Sequence, residues 1–125
     1  LIDLCVYDLL SDDNFLLYSG DDLTACNFML QGGHGTISVT ANIVPDKISR
    51  ISELALKKDI SASDLDKHLE KLHENLFIES SPIPVKWALN KMGRIPEGIR
   101  LPLSHLDEAH HAELNEILLE LNLLD

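Results

Sequence analysis

Residues able to do chemistry fall into a few groups along this chain. "SGDD" (Ser19 to Asp22) sets two carboxylates at the start of a helical pattern, and "LQGGHGTISVTAN" (Leu30 to Asn42) sets glycines and His34 beside small residues. A phosphate cradle places its glycines after a strand and at the start of a helix, where backbone N–H groups and the helix dipole face the anion. Gly32, Gly33 and Gly35 do the reverse, following a helix and preceding a strand. They are expected to give left-handed helix-capping conformations and a tight turn, with His34 packing or hydrogen-bonding inside it.

Asp21 and Asp22 satisfy a helix dipole themselves and would repel a phosphate, so a double N-cap is the structural expectation. The functional alternative is that Gly20 lets a ligand approach the backbone at the C-terminal end of a strand, where α/β barrels bind substrates. Six histidines raise the question of a metal. His68 and His73 are five residues apart, which on a helix separates them by about 140°, and adjacent His110 and His111 diverge by about 100°. The two-histidine zinc helix needs a spacing of four, so no metal site is expected. Lys47, Lys57, Lys58, Lys67 and Lys71 fall on polar sides of predicted helices, as snorkelling surface lysines do.

These residues must be held by a fold, and composition bounds it. The chain has 125 residues, 45% of them hydrophobic, and a formal net charge of −11. Nucleic-acid binding needs a basic face, which this acidic balance argues against. Cys5 and Cys26 each sit in an apolar, helix-like stretch outside any metal or CxxC spacing, which reads as two reduced, packed thiols and suits the cytoplasm. No apolar run is long enough to span a bilayer. The sequence opens in "LIDLCVYDLL" without an initiator methionine, which we read as a truncated chain.

"LIDLCVYDLL" reads as the end of a helix stopped by "SDDN", and "FLLYSG" as a strand buried on both faces. "DDLTACNFMLQGG" is a helix, "GTISVTAN" a second strand, and "VPDKISRISELALKKD" an amphipathic helix with Pro45 in its first turn. Helix, strand, helix, strand, helix means βα units and a parallel sheet. After Asp59 only helices follow. "SASDLDKHLEKLHENLFIE" offers a capping Ser61 with Asp64 three residues on and a stripe of Leu65, Leu69, Leu72 and Leu76. "SPIPVKWALNKMG" is a short helix stopped by Gly93, and the last helix carries Leu114, Ile117, Leu118 and Leu121. Two parallel strands need neighbours on both edges and helices on both faces, so the chain reads as part of a larger α/β sheet or barrel.

"SGDD", "GGHGTISVTAN", "SPIPVKWALNKMG" and "RLPLSHLD", in that order and spacing, resemble the dihydrodipicolinate synthase family of Schiff-base, pyruvate-dependent aldolases over essentially the whole chain. The resemblance implies the C-terminal part of a (β/α)8 TIM barrel: residues 1–59 as its last two βα units, with the seventh and eighth strands, and residues 60–125 as an all-helical extension. It implies condensation of pyruvate with aspartate 4-semialdehyde through a lysine Schiff base, in a cytoplasmic homotetramer, with no cofactor. The catalytic lysine would lie upstream of this chain, on the sixth strand. Gly20 looks like the family glycine lining the pocket. Asp21 and Asp22 match the acids that follow it, where they cap the helix, contact substrate, or both. Ile37 matches the residue whose backbone carbonyl faces the pyruvate-derived group. Trp87 is expected to anchor the extension to the barrel. Two alternatives remain open: an inert half-barrel acting as a structural or assembly partner, and a related sialic-acid lyase or 2-keto-3-deoxy sugar acid aldolase.

Overall fold

A computed structural model describes residues 15–124. The helix expected over "LIDLCVYDLL", together with Cys5, lies outside them. Strand β1 (Tyr18–Ser19), helix α1 (Asp22–Leu30) and strand β2 (Gly35–Thr36) form a β–α–β unit. The strands pair parallel, Tyr18 opposite Gly35 and Ser19 opposite Thr36. His34 lengthens the ladder: its N–H donates to the Leu17 carbonyl at 2.8 Å, and its ring Nδ1 accepts from the Leu17 N–H at 3.0 Å. The imidazole therefore stands in for a missing strand rung, the turn role expected of it.

Both strands are shorter than "FLLYSG" and "GTISVTAN" suggest. Among the described residues they pair only with each other, forming a minimal ladder. Beyond Ile37 the chain coils into a 3-10 turn (Thr40–Asn42), started by the Ser38 hydroxyl, which accepts from the Ala41 N–H at 2.9 Å. Phe15, Leu16 and Tyr18 are left exposed, although side chains of parallel strands are ordinarily covered.

The glycine turn is partly as expected. Only Gly32 is left-handed, at φ +118°. Gly35 serves close approach, since a Cβ there would stand 2.7 Å from the Tyr18 ring. Gly32 closes a Schellman motif, in which the Gly33 N–H reaches back to the Phe28 carbonyl and the Gly32 N–H to Met29. The same pattern ends α2 (Pro45–Leu56) through Lys58, α5 (Ile83–Lys91) through Gly93, and α6 (His111–Glu120) through Asn122, all at positive φ. Lysine can occupy that conformation because the two backbone bonds offset its strain.

Helix α2 buries Ile48, Ile51, Leu54 and Ala55, the predicted stripe, with Pro45 in its first turn. The next predicted helix divides into α3 (Ser61–Lys67) and α4 (Glu70–Asn75). The His68 ring Nδ1 donates to the Asp64 carbonyl at 2.7 Å, and the His68 N–H goes to Leu65 instead, which ends α3. The expected cap moves as well. Asp59, not Ser61, accepts, its carboxylate taking the Ser61 N–H at 3.0 Å. The bonds from Ser61 hold the Asp59 carboxyl below its ordinary range. Leu69, Leu72 and Leu76 are buried as predicted, whereas Leu65 is exposed.

One apolar cluster runs from Cys26 and Met29 through Ile51 and Leu54 to Leu72, Ala88 and Leu118. It crosses residue 60 without a break, so the helical block shares its core with the β–α–β unit. Each fully buried leucine contributes about 1.5–3 kcal/mol. Trp87 stacks on His111 of α6, ring centroids 4.8 Å apart, with Lys91 Nζ 5.2 Å from its ring, and it packs against the shared apolar cluster. It joins two helices of the block to each other. No helix among the described residues is long and apolar enough to cross a membrane.

Cys26 is a buried, free thiol, as expected. Burial, and secondarily the Asp66 charge, push its pKa from 9.0 to about 11, against a Ser63 hydrogen bond that lowers it. An acid with a raised native pKa stays neutral while the unfolded chain ionises, so it contributes a loss of stability as pH rises from about 9 to about 11. Cys26 should resist alkylation in the folded protein and react on unfolding. Cys26→Ala should show a smaller fall in unfolding free energy across that window. Prompt labelling of the native thiol at neutral pH would contradict its burial.

Candidate functional site

The two parallel strands end side by side at Ser19 and Thr36, and the residues that follow them, Gly20–Asp22 and Ile37–Thr40, form one corner. Ser19 organises it. Its hydroxyl accepts the Asp21 N–H at 3.1 Å, and its carbonyl accepts the Ile37 N–H at 2.8 Å and the Thr36 hydroxyl at 3.2 Å. The corner is thus closed by a serine to which the sequence pattern assigns no role.

Gly20 is exposed, and a Cβ placed on it would meet nothing within 4 Å among the described residues. No described residue requires a glycine there. Ile37 is 77% exposed, and its N–H is fixed by the Ser19 carbonyl. Its carbonyl receives no hydrogen bond from a described residue. The structure therefore brings Gly20 and Ile37 to neighbouring strand ends, as anticipated.

The two aspartates take different roles, and the double N-cap does not form. Asp21 holds the N-cap position in an extended conformation without capping a backbone N–H. Its carboxylate instead accepts the Thr24 hydroxyl at 2.6 Å and remains exposed. Asp22 is 4% exposed, and its Oδ2 accepts the N–H groups of Val39 at 3.0 Å and Thr40 at 3.1 Å. Sequence reading offered capping or substrate contact for Asp22. The structure turns this carboxylate inward, as a fastener between α1 and the segment after β2. No spacing rule predicts such a contact across 17 and 18 residues.

The chemistry available here is recognition: an exposed carboxylate, an open glycine and a free carbonyl at the ends of parallel strands. No lysine lies at the corner. Lys47, Lys57, Lys58, Lys67 and Lys71 are exposed on or beside helices, as expected. Lys57 and Arg50 clamp Glu53, whose carboxyl their bonds hold below its ordinary range. Among the described residues no group of three or more His, Cys, Asp and Glu side chains could hold a metal ion. Two larger clefts, of about 400 Å³ beside Trp87 and about 640 Å³ between α2, α3 and α6, include neither Gly20, Asp21 nor Ile37.

A parallel β–α–β corner with an appended helical block defines the class. Within it, residues 6–121 match the Dihydrodipicolinate synthetase family. The chain belongs to that family. It is 54% identical over 114 residues to the 4-hydroxy-tetrahydrodipicolinate synthase of Alcanivorax borkumensis, covering 90% of this chain and 39% of that protein. It is 50% identical over 112 residues to the synthase of Pseudomonas aeruginosa, covering 89% and 38%. The solved dihydrodipicolinate synthase of Acinetobacter baumannii, complexed with pyruvate, superposes with a TM-score of 0.92 at 43% identity, covering 97% of this chain and 42% of that one. The Aquifex aeolicus enzyme gives 0.90 at 31% identity, covering 98% and 43%. The chain thus spans about two fifths of the length of the relatives it matches.

Removing the Asp22 carboxylate orphans the buried Thr40 amide and the partly buried Val39 amide. Asp22→Ala should cost roughly 2–4 kcal/mol in urea unfolding, and Asp22→Asn less, because its amide oxygen still accepts. An alanine variant as stable as the parent would contradict the fastener.

Proposed function

We propose that this chain is the C-terminal portion of a 4-hydroxy-tetrahydrodipicolinate synthase subunit, condensing pyruvate with aspartate 4-semialdehyde in the cytoplasm. β1 and β2 serve as the seventh and eighth strands of a TIM barrel, and residues 60–125 as its helical extension. The Schiff-base lysine comes from a part of the polypeptide outside this chain. Schiff-base formation releases water; the pyruvate methyl carbon then gives up a proton and the protonated imine nitrogen takes up the electron pair, giving the enamine that attacks the aldehyde. Here Gly20 leaves room for substrate beside the backbone, Asp21 stands near the entrance, and the Ile37 carbonyl accepts from the pyruvate-derived group. A homotetramer is the proposed assembly.

The observation that carries this is the agreement of the whole described fold with a pyruvate-complexed synthase, at a TM-score of 0.92, combined with Gly20 and Ile37 meeting at one strand-end corner. Exposed Phe15, Leu16 and Tyr18 support the same reading, because further strands and helices would cover them.

The test is a complete subunit in which this chain replaces the matching portion of the Alcanivorax borkumensis synthase. It should condense the two substrates, whereas this chain alone should not. In that subunit Gly20→Val should lower kcat/KM for pyruvate at least about tenfold, because the added side chain meets only ligand space. A folded but inactive parent subunit would overturn the reading, and an unaffected valine variant would remove Gly20 from the pocket.

A further inference from the structure

Behind the strand-end corner lies a buried polar chain that substrate recognition leaves unused. Thr40 is 0% exposed and His73 2%. Thr40 Oγ1 stands 2.8 Å from His73 Nδ1, and His73 Nε2 stands 3.4 Å from Asp66 Oδ1. A carboxylate can only accept, so in the neutral imidazole Nε2 carries the proton toward Asp66 and Nδ1 accepts from the Thr40 hydroxyl. Burying a hydroxyl and an imidazole in an apolar core is unfavourable unless each is bonded. Here both are, and the pair spans 33 residues of sequence.

The chain of contacts has a direction. Asp22 holds the backbone of Val39 and Thr40, Ser19 holds the Ile37 N–H, and the Ser38 hydroxyl takes the Ala41 N–H. The Thr40 side chain hydrogen-bonds into the helical block, to His73 on α4, while Val39 and Ala41 pack against the apolar cluster that the block shares. Two residues, Ser38 and Val39, separate Thr40 from Ile37, and each is held: the Ser38 hydroxyl by the Ala41 N–H and the Val39 N–H by Asp22. The Thr40–His73 bond thus lies one short, hydrogen-bonded stretch away from the Ile37 carbonyl.

We propose that His73 is a positioning residue for the pocket. Acting through Thr40, it lets the helical block set the direction of the Ile37 carbonyl and hence the binding of a 2-oxo acid. This rests on the pocket reading above.

The test uses the complete subunit assembled with the Alcanivorax borkumensis portion. Asparagine places an amide where His73 has Nδ1 and glutamine where it has Nε2, so His73→Asn keeps a partner for Thr40 and His73→Gln does not. Thr40→Val deletes the hydroxyl at constant shape, and Thr40→Ser restores it. His73→Gln and Thr40→Val should raise the KM for pyruvate roughly tenfold, with faster hydrogen exchange at the Val39 and Thr40 amides. Their counterparts His73→Asn and Thr40→Ser should stay within about twofold.

If thermal stability falls in His73→Gln and Thr40→Val while KM and amide exchange stay at parent values, His73 is a packing residue and the proposal is overturned. Should Thr40→Val fail to fold, the contrast between His73→Asn and His73→Gln decides alone. A parent subunit that does not turn pyruvate over removes the functional reading. Amide exchange in the same proteins then still decides whether His73 pins the segment.

Discussion

The fold around the candidate site depends on one buried carboxylate. Asp22 sits in the first turn of α1 and receives two backbone N–H groups from the segment after β2. The helix start contributes a positive dipole end that suits an anion. Its two partners are amides that leave a strand and have no ladder to join. A single side chain thereby satisfies donors that the short sheet cannot, and it fixes the distance between the ends of both strands. Ser19 does the same work at the other side of the corner.

Those fastenings explain how a two-residue strand pair can hold a definite geometry. An isolated pair of strands is marginal in water. This one is tied by Asp22, by the His34 ring and by a core that continues into α3 through α6. What the described residues leave uncovered is equally informative. Apolar strand residues remain exposed and the chain spans 39% of a close relative. Both facts agree with a sheet completed by further strands.

Much of this was legible in the residues. Helix α2 follows its 3.6-residue stripe from Ile48 to Ala55, and the glycine turn announces a helix end rather than an anion cradle. The corner of Gly20 and Ile37 was implied by the family resemblance. The rest was hidden for physical reasons. Asp22 reads as a cap because local rules see only neighbours within a turn, whereas its partners lie across the sheet. The break between α3 and α4 comes from the His68 side chain competing for a backbone acceptor, which apolar periodicity does not register. His73 looked like half of a failed metal pair, since its partner Thr40 lies in a stretch that reads as strand. Trp87 finds His111 within the helical block because both helices fold back on each other.

The central claim is that these residues form one portion of a pyruvate-handling subunit. Intact mass of the protein carrying this sequence, taken after pyruvate and borohydride treatment, tests it most directly. The account predicts a polypeptide well above the 14.0 kDa of this chain, bearing one reduced pyruvate adduct on a lysine outside it. A polypeptide of 14.0 kDa without adduct would contradict it and leave a half-barrel whose role is structural.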